Sequence, residues 1–284
     1  MGKTWGVGPI LMILSVLMGC DAQAPATEQK RQSSQQAPSQ TTQVQTPAPV
    51  PAAETVLPYL NIKPQPAAVV MPQCQTRPCT KLELNSLHTQ DAWLNRWLSQ
   101  RQAQVIAAQI QLNGKDLSLQ QVVNRYVKAS AHWKNSAAHH QPYHLSLNTQ
   151  LGYQKNGYVL VQLQINSVQG ETQIKDRVYF FVANRHTQQS VELKHIVAPK
   201  QQQTMNQIMQ SAYQAWKAQQ QTLAISALPE KLTWQTAEWF YDQQGIGLHF
   251  RSDEIAPNSP QWDLYLTAEQ TQRVLKPDVY QALF

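Results

Sequence analysis

Tyr158-Val159-Leu160-Val161-Gln162-Leu163-Gln164-Ile165 decides the fold class. The stretch alternates or runs apolar, it is rich in β-branched side chains, and it follows Lys155-Asn156-Gly157, a sequence with turn chemistry. Tyr143-His144-Leu145-Ser146-Leu147 lies before the turn and Arg177-Val178-Tyr179-Phe180-Phe181-Val182 comes after, both with strand character. Three strands of an antiparallel meander are predicted.

Working outward, the period changes from two to 3.6. Trp93, Leu94, Trp97, Leu98, Arg101, Val105 and Ala108 recur at three and four residue spacing, which predicts an amphipathic helix to about Ile110. Leu119, Val122, Val123, Tyr126, Val127 and Trp133 form the stripe of a second helix, with Ser118 suited to its N-cap. Lys81-Leu82-Glu83-Leu84 alternates like a short strand ahead of both. After the meander, a helix over 202–221 buries Met205, Ile208, Met209, Tyr213 and Trp216. Trp239-Phe240-Tyr241 and Gly247-Leu248-His249-Phe250 flank a Gly-containing turn, Trp262 to Leu266 is a last strand, and Thr267 caps a short helix. Helices, then strands, then a helix, then strands: the pattern predicts an α+β fold with an antiparallel sheet and packed helices.

The N-terminal part has another character. Lys3 precedes an apolar run from Trp5 to Met18, too short for a bilayer span of about 20 residues and of the length of a signal-peptide core. Leu17-Met18-Gly19-Cys20 closes it and resembles the lipobox of bacterial lipoproteins. That resemblance implies a signal peptide over 1–19 and a lipidated Cys20 as the mature N-terminus, held in a membrane at about 0.8 kcal/mol per buried CH₂. Asp21 resembles an inner-membrane retention signal of enteric bacteria, so either envelope membrane stays open. Residues 20–73 are rich in Gln, Pro, Ala, Thr and Ser, and bury too little apolar surface to offset their ordering entropy. They read as a disordered tether, averaging roughly 40 Å end to end as a coil. The globular composition starts at Cys74, and 74–284 is read as one domain, long enough for either one sizeable core or two small intertwined halves, 74–140 and 141–284.

Cys74 and Cys79 are the remaining cysteines. In an exported chain so close a pair reads as one structural disulfide. Zinc needs further ligands at finger or ribbon spacing, and a thioredoxin-like redox motif needs two intervening residues where four stand here. From Cys74 to Pro229 the chain carries 15 Lys/Arg against 6 Asp/Glu, and from Glu230 to Phe284 it carries 4 against 8. A basic part thus precedes an acidic one. The bases are not interleaved with stacking aromatics in any nucleic-acid module, so no nucleic-acid partner is expected.

Trp239 to Phe250, then Asp253-Glu254-Ile255-Ala256-Pro257, then Trp262 to Leu266, together resemble the signature of the RsiV-like domain family. The resemblance spans about 143–275. The chain departs from the family at Asp253 and Asn258, where aromatics are usual, and at Ser259-Pro260 in place of a Gly turn. What the resemblance implies is binding, not catalysis: the family includes an anti-sigma factor whose outer domain recognises lysozyme, and domains attached to peptidoglycan deacetylases. Glu254 on a turn stiffened by Pro257, with Asp253 and Asp242, would then meet a basic wall hydrolase, and Trp262 would be an aromatic anchor.

Catalysis finds no support in motifs. No Gly-x-Ser-x-Gly, phosphate loop, His-Glu-x-x-His or post-strand Gly-x-Gly-x-x-Gly is present. His132, His139, His140 and His144 cluster, but Pro142 interrupts any helix that would set His140 and His144 on one face, so neither a metal nor another cofactor is expected. Three readings follow: a membrane-anchored recognition domain facing the cell wall, whose ligand is a wall polymer or a lysozyme-type hydrolase; a structural lipoprotein bridging membrane and wall; and an accessory domain or enzyme of peptidoglycan processing. Anti-sigma regulation is disfavoured, because no cytoplasmic segment precedes the anchor. Replacing Cys20 by Ser should abolish acyl labelling and move the protein to the soluble exported fraction. Unchanged membrane partition would contradict the lipobox reading.

Overall fold

Strands β3 (His144–Lys155), β4 (Tyr158–Gln169) and β5 (Thr172–Asn184) form the antiparallel meander, longer than the sequence pattern required. Asn156 and Gly157 turn the first hairpin with φ of 46° and 80°, the left-handed pair of a two-residue connection. The change of pattern inside β4 has a structural cause. Val159, Leu160 and Val161 are all buried, whereas beyond Gln162, among the described side chains of β4, only Leu163, Ile165 and Ser167 are. The first part of the strand is covered on both faces, the rest on one. Val159, Val161, Leu163 and Ile165 join Leu145, Leu147, Tyr179 and Ala183 in one core. Leu160 and Val182 point the other way, into a second core.

A computed structural model describes residues 57–73, 80–113, 116–136, 144–169, 172–220, 228–256 and 259–284. Cys20, Cys74 and Cys79 lie outside the described residues. The α+β expectation holds, with one departure. Strand β2 (Lys81–His88) lies parallel to β3. Parallel neighbours need a crossover, and helices α1 (Ala92–Ala108) and α2 (Leu119–Ser136) supply it, roofing the first core with Leu94, Leu98, Ile106, Val122, Val123 and Tyr126. Ser118 starts α2 reciprocally: its Oγ accepts from the Gln121 N–H at 3.2 Å while Gln121 Oε1 accepts from its own N–H at 2.8 Å.

Asp91 caps α1, accepting the Leu94 N–H on Oδ1 at 3.0 Å. Its Oδ2 accepts from Arg185 Nε at 2.8 Å, and the same guanidinium donates to the Pro58 carbonyl at 2.6 Å. One buried ion pair thereby ties together the entering chain, the first helix and the end of β5.

That contact also corrects the domain boundary. Residues from Leu57 onward already belong to the fold, so it does not start at Cys74. Leu60 is buried in the first core, and β1 (Lys63–Pro66) pairs antiparallel with β2 at the sheet edge, where Pro64 and Pro66 withhold N–H donors from any further strand. The sheet order is β1-β2-β3-β4-β5-β6, with β6 at Gln189–Ser190.

The second core holds the C-terminal elements. After α3 (Leu193–Ile196), helix α4 (Gln202–Gln219) buries Met205, Met209 and Tyr213. Strands β7 (Glu238–Tyr241), β8 (Ile246–Phe250) and β9 (Trp262–Tyr265) make a separate three-stranded sheet, joined by α5 (Ser252–Ile255) and followed by α6 (Ala268–Val274) and α7 (Pro277–Leu283). Gly247 is required in β8, since a Cβ there would sit 2.1 Å from the Phe240 ring. Among the described residues no helix is long and apolar enough to cross a membrane. Asp91→Ala removes a cap and strands a guanidinium that is 8% exposed, so unfolding free energy should fall by about 3–5 kcal/mol in denaturant titration. A loss within the range of an exposed cap alone, about 1 kcal/mol, would mean the ion pair contributes little.

Candidate functional site

Alternation along β7, β8 and β9 gives the small sheet two unlike faces. Trp239, Tyr241, Ile246, Leu248, Phe250 and Trp262 enter the second core. The other face carries two cross-strand rows: Glu238 beside His249 beside Asp263, and Phe240 beside Gly247 beside Tyr265. This polar and aromatic face meets the edge of β5. Phe180 packs on Phe240 at 4.9 Å and on His249 at 5.1 Å between ring centroids, and its backbone N–H donates to Glu238 Oε2 at 2.6 Å. A carboxylate of one sheet thus satisfies an edge donor of the other.

Arg251, just past β8, completes the arrangement. Its guanidinium pairs with Glu238 and Glu254 and lies 4.4 Å from the Tyr179 ring centroid. His249 is 1% exposed, with Nδ1 2.6 Å from Asp263 Oδ1 and a buried Nε2 that has no hydrogen-bond partner among the described residues. Asp263 is half exposed. Burial pushes the Glu238 carboxyl up to about 7, against the downward pull of Arg251 and the Phe180 N–H.

The residues singled out in the sequence are distributed unevenly over this site. Glu254 belongs to it, but its carboxylate is not presented outward by a turn: Oε2 accepts the Arg251 N–H at 2.9 Å and Oε1 pairs with the Arg251 side chain. Asp242 shapes the β7–β8 turn, accepting the N–H groups of Gln244 and Gly245 on Oδ1 and the Tyr265 hydroxyl on Oδ2 at 2.7 Å. Its burial works in the other direction, yet those hydrogen bonds hold its carboxyl below the ordinary range. Trp262 is not a free anchor. It is 8% exposed and stacked among Phe250, Trp216 and Tyr213, on the face opposite Asp263. Asp253 lies on α5 with its side chain outside the described residues, as are Pro257, Cys20, Cys74, Cys79, His139, His140 and the side chain of His132. His144 opens β3, 3.8 Å from Glu83.

An open groove of ≈ 410 Å³ runs beside α5, lined by Lys231, Thr233, Thr236, Phe250, Glu254 and Ile255 among others. Chemically, the row and its arginine hold charge in fixed positions.

The fold is shared with DUF3298 family proteins. A DUF3298 family protein from Pseudomonas aeruginosa PAO1 superposes with a TM-score of 0.56 at 17% identity, over 80% of this chain and 97% of that one. A member of the same family from Bacteroides fragilis NCTC 9343 gives 0.54 at 14% identity, over 79% and 97%. No family model and no curated protein matches the sequence. At such identities the likeness is one of fold.

Sequence reasoning missed Glu238, His249 and Arg251. The trace was slight: one polar residue on each otherwise apolar strand, Glu238 on β7 and His249 on β8, which where buried must find a partner; Arg251 lies past β8, where no strand pattern marks it. The raised Glu238 pKa has a consequence of definite sign. Folded Glu238 holds its proton above the unfolded value of 4.5, so its contribution to stability is complete below about 4.5 and is lost as pH rises through about 7, an effect of about 3 kcal/mol. Denaturant midpoints measured from pH 4.5 to 8 should show that decline, and Glu238→Gln should flatten it. The same slope in the variant would assign it to another group.

Proposed function

We propose that this protein is a lipid-anchored recognition domain of the RsiV-like kind, facing the cell wall in the bacterial envelope and binding without catalysis. Its ligand is a basic, lysozyme-type wall hydrolase, with wall polymer as the other outcome to be tested. One observation carries the reading: strands β7, β8 and β9 of the stretch that resembles the RsiV-like signature pair into one sheet, with Arg251 tied to Glu238 and Glu254 beside it, on a fold shared with DUF3298 family proteins. The acidic excess of residues 230–284 supports a cationic partner, and the lipobox-like Leu17 to Cys20 supports the anchor.

The contacts proposed here differ from those read in the sequence. Asp242 is committed to its turn and Trp262 to the core, so the charge proposed to face a partner is that of the half-exposed Asp263 and of Glu254, which stays 29% exposed at the rim of the groove while paired with Arg251. Charge-paired contacts of this kind raise association rates and weaken with salt. Calorimetry of the chain from residue 20 onward, with Cys20 replaced by Ser, should show binding to lysozyme that weakens with ionic strength. Asp263→Asn with Glu254→Gln, which keeps both acceptors and removes both charges, should weaken it about tenfold. Heat with wall fragments alone would make the polymer the ligand. Heat with neither, from a chain shown to be folded, would favour the structural-lipoprotein reading.

A further inference from the structure

The roof of the first core carries exposed cationic groups. Neither α1 nor α2 contains an Asp or Glu. Arg96 on α1 and Arg125 and Lys128 on α2 are exposed, while Arg101 is held back, half-buried between the rings of Trp97 and Phe181 at 5.5 and 5.6 Å. The carboxylates nearest in sequence are Asp91, which caps α1 and is paired with Arg185, and Asp116, which precedes α2.

Beside this cationic face stands a pair of exposed apolar side chains. Val70 and Met71 are 78% and 49% exposed, where most apolar side chains of the domain are covered. They are not loosely placed. The Val70 N–H donates to Gln120 Oε1 at 2.6 Å and the Gln120 amide donates back to the Val70 carbonyl at 2.8 Å, so a side chain of α2 grips the main chain as a neighbouring strand would. Gln120 also donates to Asn124 at 2.9 Å. Gln120, Asn124 and Lys128 follow at intervals of four on one stripe of α2, with Arg125 adjacent, so both basic residues stand within about 12 Å along the helix of the apolar pair.

We propose that this face, Arg125 and Lys128 of α2 with the Val70–Met71 pair, docks the domain onto an anionic phospholipid bilayer. Cationic groups without intervening carboxylates match the phosphate-rich headgroup layer, and the apolar pair reaches the boundary of the acyl region. The face lies on the segment through which the chain enters the fold, 50 residues beyond Cys20. The proposal rests on the lipid-anchor reading for its setting: an anchored chain meets the bilayer at high effective concentration, so a weak surface suffices. It goes beyond that reading in giving the tethered domain a bound orientation, with the helical roof toward lipid.

The test uses the unacylated chain, residue 20 onward with Cys20→Ser, so that the anchor contributes nothing. Co-sedimentation with vesicles of about 30% phosphatidylglycerol in phosphatidylcholine should show binding that pure phosphatidylcholine vesicles lack, and it should weaken severalfold as the salt rises from about 50 to 300 mM. Arg125→Gln with Lys128→Gln should weaken it about 30-fold, the equivalent of two basic residues at about 1 kcal/mol each. Val70→Ser with Met71→Ser should weaken it about tenfold at every salt concentration, since that contribution is not electrostatic. Equal binding to neutral vesicles, or wild-type binding by the folded charge variant, would overturn the proposal. So would full displacement by soluble polyphosphate at equal charge, which would make a polyanion the partner. These residues lie outside the small sheet, so failure here leaves lysozyme binding unaffected, and failure there leaves vesicle binding unaffected.

Discussion

Two cores share one hairpin, and the rest of the structure depends on that sharing. Over Val159 to Val161 and the facing residues of β5, side chains alternate between a core under α1 and α2 and a core under the small sheet and α4. A strand buried on one face tolerates changes on the other; this segment has no free face. Its backbone therefore fixes the register of both layers at once, and a slip of one residue would exchange Leu160 with Val161 between cores.

Charge closes what apolar packing leaves open along the C-terminal half of β5 and just beyond it. Arg185, just beyond β5, is buried against Asp91 and the Pro58 carbonyl, tying three segments distant in sequence. Further back along β5, Phe180 gives its N–H to Glu238 of the other sheet, and Arg251 bridges Glu238, Glu254 and the Tyr179 ring. Buried pairs of this sort add little net stability over well-packed apolar residues, but breaking one partner is costly. Here each is made only when two elements meet at one angle, which gives the pairs a positioning role.

The elements with strong periodicity were legible from the sequence. The meander, α1, α2, α4 and the Asn156-Gly157 turn follow from local pattern, because apolar spacing and turn residues are local properties. Three features depend on tertiary context and were not. The segment from Leu57 to Gln73 has the composition of a tether, yet Leu60 and the Gln120 grip on Val70 bring it into the domain. The β2–β3 pair is parallel, which no pattern within either strand announces. At the candidate site, Trp262-Asp263-Leu264-Tyr265 shows by alternation that Trp262 and Asp263 face apart, but not which side is solvent; Trp262 is the buried one. Glu254 looked free because its partner, three residues earlier, is engaged only once α5 turns.

A recognition surface on the small sheet works only if that sheet is held rigidly on the meander, so the account turns on the two layers being a single cooperative body. Native-state hydrogen exchange measures this directly. The amides of Leu163 in β4 and Leu248 in β8 should exchange through the same global unfolding, with equal opening free energies and equal dependence on denaturant. Exchange of Leu248 through a separate opening of lower energy, with Leu163 still protected, would contradict it.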